Sequence, residues 1–158
     1  MPNDERGRLR LAEEQWISSG PWTSLVLRAA AIYGPGRGVH TALRQGKAPR
    51  GTGSGVVSRI HVEDLAALIE AGIFSDVEGA WPVADDEPCS TAEIAEWLAE
   101  IEGIKRNDSA STVYTHGRRV DGRKIRELLA IELVYRSWRT GIPASIDEEN
   151  SEKNSTAY

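Results

Sequence analysis

Hydrophobic positions along this chain fall into short blocks whose spacing alternates between helical and strand-like. Residues 8–18 place Leu9, Ala12, Glu13 and Trp16 at helical spacing, Leu11 and Ile17 widen the apolar stripe, and Gly20 and Pro21 end the element. Residues 24–32 form a near-continuous apolar run closed by Gly34, Pro35 and Gly36. A run so short predicts a strand buried on both faces, as in parallel sheets. A short helix is expected over 39–45, and residues 46–55, G-K-A-P-R-G-T-G-S-G, predict a hairpin loop. Residues 59–71 begin as strand and become helix, with Val62, Leu65, Ala66, Ile69 and Ile73 at helical spacing and Glu63 and Asp64 in the first turn, where negative charge suits the helix dipole. Residues 81–85 read as a short strand and 85–88 as a turn. Ser90 and Glu93 have capping-box spacing and open a helix to Glu102, with Ile94, Trp97, Leu98 and Ile101 on one face and Gly103 at its end. Residues 105–117 predict a polar surface loop, and Asp121 caps a helix over 122–130 buried through Ile125, Leu128 and Leu129. The acid-rich residues 147–158 predict a disordered tail behind a domain spanning 1–146.

Composition narrows this picture. The chain has 158 residues, 40% of them hydrophobic and 27% charged, which is enough for one domain with its own core. A net charge of -5 supplies no basic field for nucleic acid or an anionic membrane surface. No apolar run approaches a membrane span, and the opening M-P-N-D-E-R-G-R-L-R has no apolar signal core. Cys89 is the single cysteine, which excludes an internal disulfide or a cysteine-based zinc cluster and fits a cytoplasmic protein.

Three local patterns invite chemistry and are read as structural. His61, Glu63 and Asp64 sit at a helix start, where neighbouring side chains point in different directions, so local bonding is expected and no metal site. Gly51, Gly53 and Gly55 follow a polar loop and precede a strand, the reverse of the dinucleotide-binding order. Arg118, Arg119, Arg123, Lys124 and Arg126 form a basic patch expected to be a solvated helix face.

Four ordered segments carry a family resemblance. Residues 28–37, R-A-A-A-I-Y-G-P-G-R, resemble the R-x-x-x-x-Y-G-P-G segment of extended short-chain dehydrogenase/reductases, the NAD-dependent epimerase/dehydratase family. Residues 59–66, R-I-H-V-E-D-L-A, are similar to its I-H-V-x-D signature, and 81–88, W-P-V-A-D-D-E-P, to its Y-N-V-A-D-x-x-P strand and turn. Residues 120–141 resemble its closing helix and Y-x-x-W/Y-R-x-G ending. All four belong to the latter half of that family. The resemblance implies an α/β fold: a partial Rossmann-like parallel sheet with flanking helices, the substrate-side half of such an enzyme.

The same resemblance implies an NAD(P)-dependent oxidoreductase or epimerase acting on a small hydroxyl- or carbonyl-bearing substrate or a nucleotide-sugar, with NAD or NADP as cofactor. The family's Y-x-x-x-K-x-x-x-E helix aligns with residues 6–14, so Glu14 fits the glutamate while Arg6 falls on the tyrosine and Arg10 on the lysine. Arginine stays protonated and cannot act as the base, so the catalytic pair is not intact. Arg10 remains a candidate for a ribose or phosphate, and the backbone of Ala29, Ala30, Ala31 and Ile32 for the nicotinamide; a solvated arginine face and plain helix-on-sheet packing are the competing readings. Tyr33, Arg37 and Arg59 are the candidate substrate contacts. No segment offers strand, G-x-x-G-x-x-G and helix, so the expectation is a chain inactive alone. The alternative is a non-catalytic ligand-binding or assembly module, in which a second chain or second copy covers the open sheet.

Overall fold

The apolar run divides at Ala30. In the computed structural model, which describes residues 4–47, 55–103 and 117–155, strand β1 (Leu25–Ala29) pairs in parallel with β4 (Gly79–Val83), and β2 (Ala31–Tyr33) pairs in parallel with β3 (Arg59–His61). Successive amides cause the split: Ala30 N donates to Val83 O at 2.9 Å, and Ala31 N donates to Ser58 O at 3.2 Å. Peptide groups along a strand point alternately to its two edges, so one extended segment serves two parallel pairs.

Helices α1 (Glu5–Ser18), α2 (Val39–Arg44), α3 (Val62–Ile73), α4 (Thr91–Glu102), α5 (Arg123–Leu129) and α6 (Trp138–Ser155) surround these strands. Their ends follow local chemistry. Ser90 and Glu93 make the full capping box of α4, and Gly103 closes it at φ 63°, a left-handed conformation that costs glycine little. The Asp121 carboxylate accepts the Arg123 amide at 3.0 Å at the start of α5.

The described residues hold two cores. One gathers Ile60, Leu68, Val83, Ile125, Leu129 and Leu133 between β1, β3, β4, α3 and α5. The other gathers Tyr33, Cys89, Ile94, Leu98, Trp138, Ile142 and Ile146 between β2, α4 and α6, where the Trp97 and Trp138 rings meet edge to face at 5.7 Å.

Several sequence expectations need correction. Strand β1 is covered on one face: Leu25 and Leu27 join the first core, whereas Arg28 and Ala29 are exposed. Arg28 reaches α1 through Glu14 at 2.6 Å. The α1 stripe is not buried, and Trp16 is 75% exposed. Residues 147–155 are not a disordered tail but continue α6, because Glu149 is held by long-range hydrogen bonds described below. The loop expected over 46–55 lies outside the described residues from 48 to 54, as do the polar stretch 104–116 and the final residues 156–158, while β2 and β3, on either side of α2, run parallel. The basic patch is not uniformly solvated: Arg126 is buried and pairs with Asp86.

Candidate functional site

The carboxyl end of the β1–β2 segment is where a ligand would meet this fold. There Ala29 and Ala31 are exposed, Ala30 and Ile32 half-buried, and Tyr33 2% exposed. A tight turn follows: Gly34 N donates to Arg37 O at 2.9 Å and Arg37 N donates to Gly34 O at 3.0 Å. Gly36 sits at φ 68° in that turn, a conformation disfavoured for side-chain-bearing residues. Arg37 is exposed beyond it, and Arg6 and Arg10 are exposed on α1.

Two candidate substrate contacts belong to the interior instead. Tyr33 lies edge-on to His61 at 5.1 Å, and burial together with the nearby Asp85 and Asp64 charges pushes its phenol well above the usual range. It is therefore no proton acceptor. A Cβ on Gly141 would lie 2.9 Å from the Tyr33 ring and would collide with its hydroxyl, so the glycine of the closing motif is what lets α6 cross this tyrosine. Arg59 is buried, and its Nη1 donates to Val57 O at 2.9 Å and to Cys89 O at 2.7 Å. This guanidinium staples β3 to the segment before α4 and does not face a ligand. Its neighbour Cys89 is pushed up to about 12 by burial, so it is a packed thiol and no nucleophile.

The I-H-V-x-D segment is likewise architectural. Asp64 is buried, and its oxygens accept from Val134 N at 2.7 Å and Tyr135 N at 3.0 Å. His61 Nδ1 accepts from Glu63 N at 3.3 Å, and Nε2 lies 3.0 Å from Ser145 Oγ, which donates onward to Gly141 O at 2.7 Å. With that hydroxyl hydrogen committed, Nε2 is the protonated nitrogen and the ring is neutral. Burial lowers the His61 pKa and so agrees with the neutral tautomer.

Sequence reasoning missed three other groups. Asp85 is buried with neither oxygen hydrogen-bonded, and burial pushes it up to about 7, against the partial opposition of the Glu87 amide and Arg59. It borders a cavity of about 600 Å³ whose rim carries Arg119, Arg123 and Arg136. His40 is buried without a hydrogen bond and is lowered to about 4 by that burial. Glu149 approaches His40 from α6. A turn acid, a helix histidine and a tail glutamate carry no local signal of such surroundings.

No protein-family model matches the chain. A curated relative, 3-diazoavenalumate denitrifying reductase from a Streptomyces species, is 40% identical over 92 residues, covering 54% of this chain and 29% of the relative. A solved structure described as an NAD-dependent epimerase/dehydratase from Methylobacillus flagellatus is 23% identical, with a TM-score of 0.70 over 95% of this chain and 56% of its own. UDP-glucose 4-epimerase from Thermotoga maritima, solved with UDP-glucose, is 16% identical, with a TM-score of 0.79 over 97% of this chain and 55% of its own. The chain thus spans just over half the length of these two structures and under a third of the curated relative. Its parallel strand pairs and flanking helices share the fold of about half of each of these two structures.

Proposed function

We propose that this chain forms the substrate-side part of an NAD(P)-dependent oxidoreductase or epimerase, and that it does not turn over substrate by itself. The observation that carries this reading is the exposure of Ala29 and Ala31 at the carboxyl end of β1 and the start of β2. A methyl group at each position leaves the backbone open to a flat ring, so these residues fit the nicotinamide end of the cofactor. Bound there, the cofactor supplies hydride chemistry that no side chain has. Arg37, exposed past the turn, and Arg10, exposed on α1, are the cations available to ligand phosphates. Arg6 has no proton to accept or return at working pH, which is why the chain alone lacks the acid/base step.

Identity to a relative named as a reductase favours reduction over epimerisation. A small hydroxyl- or carbonyl-bearing substrate or a nucleotide-sugar fits the fold, the latter because the Thermotoga maritima enzyme was solved with UDP-glucose. The cytoplasm is the compartment in which we place this reaction. Among the described residues no helix is long and apolar enough to cross a membrane.

A thermal-shift titration with NAD and NADP tests the cofactor site. A saturable rise in melting temperature with either nucleotide supports it, because binding to the folded state stabilises by mass action. No rise at millimolar nucleotide, in a protein that melts cooperatively, would sink it.

The second reading is an assembly module. It is favoured by exposed apolar residues, with Phe74 84% exposed beside Ile73 at the end of α3. Under this reading a partner chain or second copy covers β1. Size-exclusion with light scattering decides: a clean monomer at all concentrations removes self-assembly.

A further inference from the structure

The C-terminal turns of α6 place a carboxylate in a pocket of donors built by a distant part of the chain. Glu149 Oε1 accepts from Gly36 N at 2.9 Å and Thr41 Oγ1 at 3.2 Å, and lies 3.6 Å from His40 Nε2. Its Oε2 accepts from Arg44 Nη1 at 2.7 Å, and Arg44 Nε also bonds Glu102 at 3.0 Å. His40 is wholly buried and neither ring nitrogen makes a hydrogen bond, so its Nε2 faces this carboxylate from just beyond bonding distance. Three donors from the 34–44 segment therefore converge on one anion, with the His40 ring facing it at 3.6 Å. Beside it opens a cavity of about 700 Å³ lined by Pro35, Gly36, Thr41, Gln45 and Lys153 and by the carboxylates of Glu149 itself and Glu152.

The helix that brings the carboxylate is lightly held. Past Ile146 it has no apolar residue, reading D-E-E-N-S-E-K-N-S, and residues 151–155 are exposed. In this stretch Gly36, Thr41 and Arg44 donate to Glu149, His40 faces it, and Arg44 Nη2 donates to Asn150 Oδ1 at 3.2 Å. Elements tied by a few polar contacts open at low cost.

We propose that the Gly36 amide, Thr41 hydroxyl, Arg44 guanidinium and His40 imidazole form a binding site for the carboxylate or phosphate of a small molecule, and that Glu149 fills it as a tethered competitor. One ligand oxygen takes the place of Oε1 against Gly36, Thr41 and His40, and a second takes the place of Oε2 against Arg44. The body of the ligand occupies the cavity, with the Lys153 cation at its wall. A tethered carboxylate acts at an effective concentration in the millimolar range, so free anions reach the site only weakly while Glu149 is present. The site is independent of the nicotinamide cofactor, since it uses none of Ala29–Ile32.

The test is Glu149→Ala in the full-length protein, titrated with sodium phosphate and sodium acetate against sodium chloride of equal ionic strength. The variant should melt lower than wild type and regain stability saturably with phosphate or acetate, while wild type responds as it does to chloride. The more effective anion identifies the ligand as a phosphate or a carboxylate. Adding Thr41→Val should weaken the rescuing anion about tenfold, the loss of one hydrogen bond to a charged group. Equal responses in wild type and Glu149→Ala, or a variant response no larger than chloride gives, would overturn the site. Should Glu149→Ala not fold, Glu149→Gln keeps an acceptor for Gly36 and loses the charge opposite Arg44. Calorimetry must then detect phosphate or acetate binding to it and not to wild type, and its failure to do so is equally decisive.

Discussion

The two ends of the β1–β2 segment lie in opposite environments. Around β2, Tyr33, His61, Asp64 and Trp138 are buried, and long-range bonds tie His61 to Ser145 and Asp64 to the 134–135 amides. Around β1, Arg28 and Ala29 are exposed, and Trp16, Ile73 and Phe74 stand in solvent. The difference lies in what covers them: the β2 side is closed by α6, whereas β1 has an edge beyond which no strand is described. The family motifs divide the same way. Those at His61, Asp64 and Gly141 hold the closed side together, whereas in the A-A-A-I stretch Ala29 and Ala31 are exposed and Ile32 packs against a core.

Substitutions on the closed side should cost most. Asp64→Ala strips two amides of a charged acceptor and is expected to lower unfolding free energy by about 4 kcal/mol, read from urea denaturation. Gly141→Ala drives a methyl into Tyr33 and should cost about 3 kcal/mol; a cost near zero would mean that α6 slides freely over β2.

The next effect is one of pH, and the closed side contains two groups of opposite sign. Asp85, raised from 3.8 to about 7, holds its proton more tightly in the folded state, so its contribution to stability falls as pH rises from the unfolded value through about 7. His40, lowered from 6.5 to about 4, is the reverse: its contribution is present above 6.5 and is lost as pH falls toward 4. His61, also lowered by burial, has the His40 sign. Asp86 and Glu93 are held low, chiefly by Arg126 and Ser90 respectively, and so act below this window. Asp85→Asn should therefore make stability climb with pH between about 4 and 6.5, and His40→Gln should tilt the profile the other way. Parallel urea titrations across that range expose the pair, and two flat, unchanged profiles would rule it out.

The smallest stability effect belongs to the open side. Ile73→Ser and Phe74→Ser should change unfolding free energy by less than about 0.5 kcal/mol, since both side chains are already in water. Their effect should show in light scattering as reduced self-association. A large loss of stability would mean that this surface is covered in solution.

Local rules made part of the fold legible. The Ser90–Glu93 box, the left-handed Gly103 and the strand-to-helix switch at His61 involve partners within four residues, and they stand where spacing put them. The ordered motifs likewise pointed to the parallel pairing. Burial was less legible, because a helical stripe states which face is apolar and not whether anything lies against it, as α1 illustrates. Arg59 reads as a ligand contact from its place beside the motif, yet carbonyls of residues 57 and 89 consume its guanidinium.

What the sequence determined by itself was the element types, their order and their ends, since these depend on contacts a few bonds along the chain. Only the tertiary structure decided that Ala30 divides one strand between two partners, that Asp85 and His40 are stranded without hydrogen bonds, and that Glu149 reaches Gly36, Thr41 and Arg44. These outcomes depend on which groups meet across long separations, up to 113 residues between Gly36 and Glu149, where no local preference of backbone or side chain acts.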